Sequence, residues 1–195
     1  QELVLLAFPV AIANIMIPLI GAIDLWLVPQ QLILSGYGKE EATTAFGYLT
    51  GMATSLISLP VIVTMSLATS LVPAISRLQL EVNREEIHRR MGTALRMTHV
   101  VTIPAFVGLC VLARPISVMM FDTPHAGGAI AVLSASIWLL GLQQVTTGAL
   151  QGLGRTALPM WTLLLGATVK VALNLYLTPI WGIEGAAWAT NVDFG

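Results

Sequence analysis

From Ala42 to Ser76 the chain runs 35 residues without an Asp, Glu, Lys or Arg. About 20 apolar residues suffice to cross the hydrocarbon core of a bilayer. A surface helix of a soluble protein carries charged residues along its outer face, and this run has none. Directly after it the sequence turns basic. Arg77, Arg84, Arg89, Arg90 and Arg96 fall within 20 residues, interspersed with Glu81, Glu85, Glu86 and His88. An apolar span followed at once by an arginine-rich segment marks a cytoplasmic boundary, and that junction orients everything else.

Composition agrees with a membrane chain. Of 195 residues, 10% are charged, against about 25% in soluble domains. The formal net charge of −1 supplies no field for nucleic acid. Cys110 is the single cysteine and lies in an apolar run, so no intrachain disulfide can form. The sequence therefore predicts an all-α, multi-pass transmembrane helical bundle, a single membrane domain over 1–195. Five full spans are expected at about 3–34, 44–76, 97–113, 129–152 and 157–177, with a truncated sixth from about 183. A cytoplasmic loop is expected over 77–96. The chain opens on Gln1 inside an apolar helix and stops soon after Trp188, which reads as a fragment of a longer membrane protein.

Pro9, Pro18 and Pro29 fall in the first span, and each removes a helical hydrogen bond, predicting a bent or broken helix. Gly47, Gly51 and Ser55, four apart, form a small-residue stripe of the kind that lets helices approach closely. Leu80, Ile87 and Met91 share one face of the arginine-rich segment, as in a short interfacial helix. With that segment inside, Arg155 is inside too, and only Lys39 and Arg114 lie in outer loops. The bias of basic residues then places the N-terminus in the cytoplasm and the protein in the cell membrane.

Asp24 and Lys170 are the ionisable residues deepest in apolar runs. A charge at mid-membrane is expensive and ordinarily faces a cavity or a partner. Asn174 lies one turn beyond Lys170, Gln144, Thr147 and Gln151 form a second polar stripe, and Asn14 adds an amide to the first span. A polar-lined cavity used in transport explains the set. So does interhelical hydrogen bonding, worth under about 1 kcal/mol per bond. The arginines have a similar choice between setting topology and meeting a substrate phosphate.

Enzyme chemistry is poorly supported, a membrane-embedded transferase being the one form of it left open. His88, His99 and His125 do not stand at metal-ligand spacing, HExxH is absent, and Gly152-Leu153-Gly154 reads as a turn rather than a phosphate cradle. Neither a cofactor nor a metal is expected. A proton or sodium ion remains an option as coupling ion.

Several segments resemble a known superfamily. Leu59-Pro60 followed by Ser70-Leu71-Val72-Pro73-Ala74-Ile75-Ser76-Arg77 is similar to the second helix of a lobe in the MATE-like (MOP) flippases. Leu150-Gln151-Gly152-Leu153-Gly154-Arg155, then Lys170 to Leu175, then Gly182-Ile183-Glu184-Gly185-Ala186-Ala187, resemble the later helix pair and its glycine-rich turn. Within the superfamily the match looks most like the polysaccharide-export branch, SpoVB-like and more distantly MurJ-like. The resemblance implies two similar helical lobes around a central cavity, of which this chain is most of the second. Cavity arginines of the superfamily have no counterpart in the first two spans.

The expected function is a flippase that carries a lipid-linked oligosaccharide or peptidoglycan precursor from the inner to the outer leaflet. Its expected partners are the bilayer, the lipid-linked saccharide and an N-terminal lobe of the same protein. A cation-coupled multidrug antiporter is the alternative that Asp24 favours and Lys170 disfavours. A non-transporting membrane scaffold is the other.

Overall fold

The computed structural model describes the backbone of residues 2–194 and the side chains of 11, 15, 16 and 18–194. Among these residues it is helical with no strand. The elements are α1 (Glu2–Leu34), α2 (Lys39–Gly47), a π-helical turn (Tyr48–Ala53), α3 (Thr54–Leu80), α4 (Arg84–Val111), α5 (Ala113–Phe121), α6 (Gly127–Leu133), α7 (Ala135–Gly152), α8 (Ala157–Trp181) and α9 (Ile183–Phe194).

Lys39–Leu80, Arg84–Val111, Gly127–Gly152 and Ala157–Trp181 are each long and apolar enough to cross a membrane. Large apolar side chains such as Trp26, Trp161, Leu165, Val100 and Val111 are exposed. With no water to repel them, such residues are at home against lipid. This is a multi-pass α-helical membrane protein.

The helix ends differ from the sequence expectation in informative ways. α1 keeps its helical assignment through Pro18 and Pro29 rather than breaking. The second span starts at Lys39 and runs 42 residues to Leu80. At 1.5 Å per residue that is about 63 Å, well beyond the ~40–45 Å of a whole bilayer. Its end therefore projects from the membrane. The third span likewise begins at Arg84, not near 97. So the expected loop over 77–96 is the tip of a helical hairpin, with only Glu81, Val82 and Asn83 outside its helices. Charge had signalled exposure to water, and exposure does not end a helix. Asn83 caps α4 by accepting from the Glu86 N–H at 3.1 Å. Glu86 then pairs along the helix with Arg89 at 2.6 Å and Arg90 at 3.1 Å. The turn is closed by Asn83 N–H donating to the Leu78 carbonyl and Val82 N–H to Gln79. That is a Schellman pattern, with Val82 at φ 56° where glycine usually stands.

Residues 116–121, outside every expected span, belong to α5. The expected span over 129–152 is interrupted at Ser134, whose hydroxyl donates to the Ala131 carbonyl at 2.6 Å. Such back-bonding competes with the backbone ladder. The fifth span continues past 177 to Trp181.

Helix α7 lies against both α3 and α4, while α8 packs between α1 and α9. The intimate contact is α7 on α3. A Cβ added at Gly148 would stand 2.6 Å from the Ala68 carbonyl oxygen, and one at Gly152 would stand 2.8 Å from that of Val72. The stripe Gly47, Gly51 and Ser55 does not serve this purpose, since a Cβ at Gly47 or Gly51 meets nothing within 4 Å. The π turn, which begins after Gly47 and contains Gly51, adds a residue to the helical register, and both glycines face outward.

Two apolar cores result. Ala68, Leu71, Ile75, Ile87, Val145 and Ala149 fill the hairpin end. Val28, Leu32, Ala53, Ile130 and Ile137 anchor the other.

Candidate functional site

Lys170, Asn174 and Thr178 stand four apart on α8, so they share one face. That face turns inward: Lys170 is 5% exposed, Asn174 1% and Thr178 0%. An ammonium so buried needs a counter-charge. Asp24 on α1 supplies it, with Oδ2 2.7 Å from Lys170 Nζ. The other Asp24 oxygen, Oδ1, accepts from Asn174 Nδ2 at 3.2 Å. Asp193 on α9 adds a second carboxylate, 3.7 Å from the same ammonium. Its Oδ1 is buried and finds no hydrogen-bond partner among the described residues. Three helices are thus tied at one point, by one positive and two negative formal charges.

The cluster forms the polar wall of a cavity of about 360 Å³. Thr190, Ser136, Thr50 and Thr54 bring hydroxyls to it, and the remaining lining is mostly apolar. Thr50 comes from the π turn itself, and π turns recur at functional positions. Beside it, Ser136 donates to Asn191 Oδ1 at 2.5 Å, and Asn191 Nδ2 donates to the Val132 carbonyl at 2.8 Å. The second bond serves a carbonyl next to the interruption at Ser134.

The sequence candidates therefore divide. Asp24, Lys170 and Asn174 come together. Gln144 does not join them: it accepts from Thr64 at 2.7 Å, across the α3–α7 contact. Thr147 and Gln151 are half-buried on α7 and do not line the cavity. The side chain of Asn14 lies outside the described residues. Asp193, Asn191 and Ser136 were missed. The signal for Asp193 was available, because a lysine deep in the membrane calls for a carboxylate on a neighbouring helix.

Arg77, Arg84, Arg89, Arg90 and Arg96 gather on the α3–α4 hairpin, away from this cavity. Arg89 donates to Glu86 through Nε at 2.6 Å and Nη2 at 2.9 Å, and Arg90 donates through Nε at 3.1 Å. His88 Nδ1 lies 2.7 Å from the Arg84 carbonyl oxygen and His99 Nδ1 2.6 Å from that of Leu95, each on its own helix. Among the described residues no three His, Cys, Asp or Glu side chains are placed to hold a metal ion.

Comparison with known proteins adds the lineage. The chain is 30% identical to the uncharacterized membrane protein YabM of Bacillus subtilis, over its whole length and 36% of that protein. It is 33% identical to stage V sporulation protein B of the same organism, over 84% of this chain and 32% of that one. It is 23% identical to the lipid II flippase MurJ of B. subtilis, over 99% and 36%. The chain thus spans about a third of these relatives. Among solved structures, an outward-facing multidrug resistance MATE transporter of the MOP superfamily superposes with a TM-score of 0.78 at 21% identity. The overlap covers 99% of this chain and 42% of that one. A MOP superfamily transporter from Pyrococcus furiosus gives 0.78 at 18% identity, with the same coverage. The fold is that of part of a MOP transporter. The profile of the family described as lipid II flippase MurJ matches residues 42–194, and the chain belongs to that family.

Proposed function

We propose that this chain is one lobe of a flippase that moves a lipid-linked saccharide precursor from the inner to the outer leaflet of the cytoplasmic membrane. The observation that carries the reading is the match of residues 42–194 to the lipid II flippase family. The similarity to stage V sporulation protein B supports it. The protein works as a transporter rather than an enzyme, with the bilayer, the saccharide lipid and an N-terminal lobe as partners. The arginine hairpin lies in the cytoplasm, as does the N-terminal end of α1.

Within the lobe, Asp24, Lys170 and Asp193 act as a charge lock. Alternating access needs helices that hold two arrangements. A pair at 2.7 Å between α1 and α8 favours the arrangement in which those helices stay together. Asp24 faces the cavity, and its charge biases inward- against outward-open forms, with a proton or sodium ion as coupling ion.

The test uses the full-length protein in liposomes, with a fluorescent lipid-linked saccharide and an impermeant quencher. Flipping above empty liposomes is expected, and it should fall strongly in Asp24→Asn. Melting temperature is read on the same preparation. A normal rate in Asp24→Asn removes this residue from the mechanism. A wild-type protein that moves no saccharide lipid but confers drug resistance in cells sinks the flippase reading.

A further inference from the structure

Helices α3 and α4 both lean on α7, and the side of the hairpin away from α7 is open. A furrow runs along it, formed by two adjoining cavities of about 700 and 460 Å³ that share Leu67, Thr93 and Met97. Each is within the size of ligand sites, about 300–1,000 Å³. Its chemistry changes along its length. At one end stand Arg89, Arg90 and Glu86. Arg96 stands further along. Beyond it the walls are apolar, with Val63 on α3 and Met97, Val100 and Val101 on α4.

Charge and length limit the occupant. Arg96 makes no ion pair among the described residues, and Arg89 and Arg90 share the single carboxylate of Glu86. Three guanidiniums against one carboxylate leave a formal surplus of +2, which suits a phosphate, the anion whose oxygens guanidiniums match best. From Arg96 to Val101 the helix rises about 7.5 Å. One leaflet of hydrocarbon is about 15 Å, half of the core. A phosphate at the arginines thus leaves apolar wall for the headgroup-proximal half of a single chain. The lining at the charged end offers hydroxyls from Ser70 and Thr93 but no aromatic ring and no amide to order a sugar.

We propose that the α3–α4 furrow is a binding site for an anionic phospholipid, its phosphate held by Arg96, Arg90 and Arg89 and one acyl chain laid along Leu67, Met97 and Val100. The site is distinct from the Asp24–Lys170 cavity, and its occupancy does not depend on what the protein transports.

Native mass spectrometry on the delipidated full-length protein tests this, titrating phosphatidylglycerol and phosphatidylcholine of the same chain length. Phosphatidylglycerol should bind saturably and at least about tenfold more tightly. Arg90→Gln with Arg96→Gln should weaken it about tenfold or more, and placing lysine rather than glutamine at 96, as Arg90→Gln with Arg96→Lys, should recover part of that loss. Thr93→Trp fills the shared middle of the furrow from an exposed position. It should abolish binding with the melting temperature unchanged. Equal affinity for the two lipids overturns the proposal. So does unchanged phosphatidylglycerol binding in the arginine double variant, which alters only exposed side chains and decides the matter even if Thr93→Trp misfolds. Displacement of phosphatidylglycerol by substoichiometric undecaprenyl phosphate would assign the furrow to the carrier lipid and overturn it as well.

Discussion

Replacing Lys170 with methionine keeps the length and most of the volume of the side chain and deletes its charge. The structure sets the scale of the loss. At an effective dielectric constant of 20, a unit-charge pair at the 2.7 Å separation from Asp24 is worth about 6 kcal/mol, and one at the 3.7 Å separation from Asp193 about 4.5 kcal/mol. Desolvation of the three groups and repulsion between the two carboxylates offset much of that sum. What is left after the substitution is more decisive. Among the described residues, Asp193 keeps no partner and Asp24 keeps only the Asn174 amide. Removing one partner from a buried pair typically costs about 3–5 kcal/mol. A kcal/mol shifts melting by about 2–4 °C in a domain of about 150–250 residues and by less in a longer protein, so Lys170→Met should lower the melting temperature of the full-length protein by several degrees. The triple variant with Asp24→Asn and Asp193→Asn replaces every charge by a neutral near-isostere and should recover most of the loss. The assay is thermal unfolding of the full-length single and triple variants in one detergent. A single variant that melts within about 2 °C of wild type, or a triple variant no better than the single, would refute the buried triad as an electrostatic unit.

The other expectations are more local. Gly148→Ala should cost about 1–3 kcal/mol by thermal unfolding, because its methyl would stand 2.6 Å from the Ala68 carbonyl oxygen, whereas Gly51→Ala should not destabilise. Val82→Gly should gain about 0.5–1 kcal/mol by relieving the left-handed backbone at φ 56°, net of the entropy glycine adds to the unfolded chain. In intact cells, with Cys110 first replaced by serine, a cysteine at Lys39 should react with a membrane-impermeant thiol reagent. One at Glu85 should react only after the membrane is opened, and reversed labelling would invert the topology.

Hydropathy and charge made the membrane class legible, because a bilayer selects on both over a length that a single chain displays in order. The uncharged run from Ala42 to Ser76 and the arginines after it needed no partner to be read. The quoted motifs around Leu59-Pro60 and Gly182 to Ala187 carried the superfamily. Asp24, Lys170 and Asn174 were legible as suspects for the same energetic reason: a polar group in hydrocarbon must be compensated.

Which groups compensate which was decided only by tertiary structure. Asp24 and Lys170 are 146 residues apart in the chain and 2.7 Å apart in space. Gln144, a polar side chain in another apolar span, turns to Thr64 instead. Close helix contact fell to Gly148 and Gly152 rather than to Gly47 and Gly51, because a glycine stripe records an ability to approach, and the facing helix decides whether the approach happens. The limits of α4 were hidden for a related reason. Charges at Arg84 to Arg90 report water, while the hydrogen bonds that continue a helix form in water and in lipid alike. The sequence thus determined which residues must leave the lipid, and the packing of α1, α8 and α9 determined where each of them went.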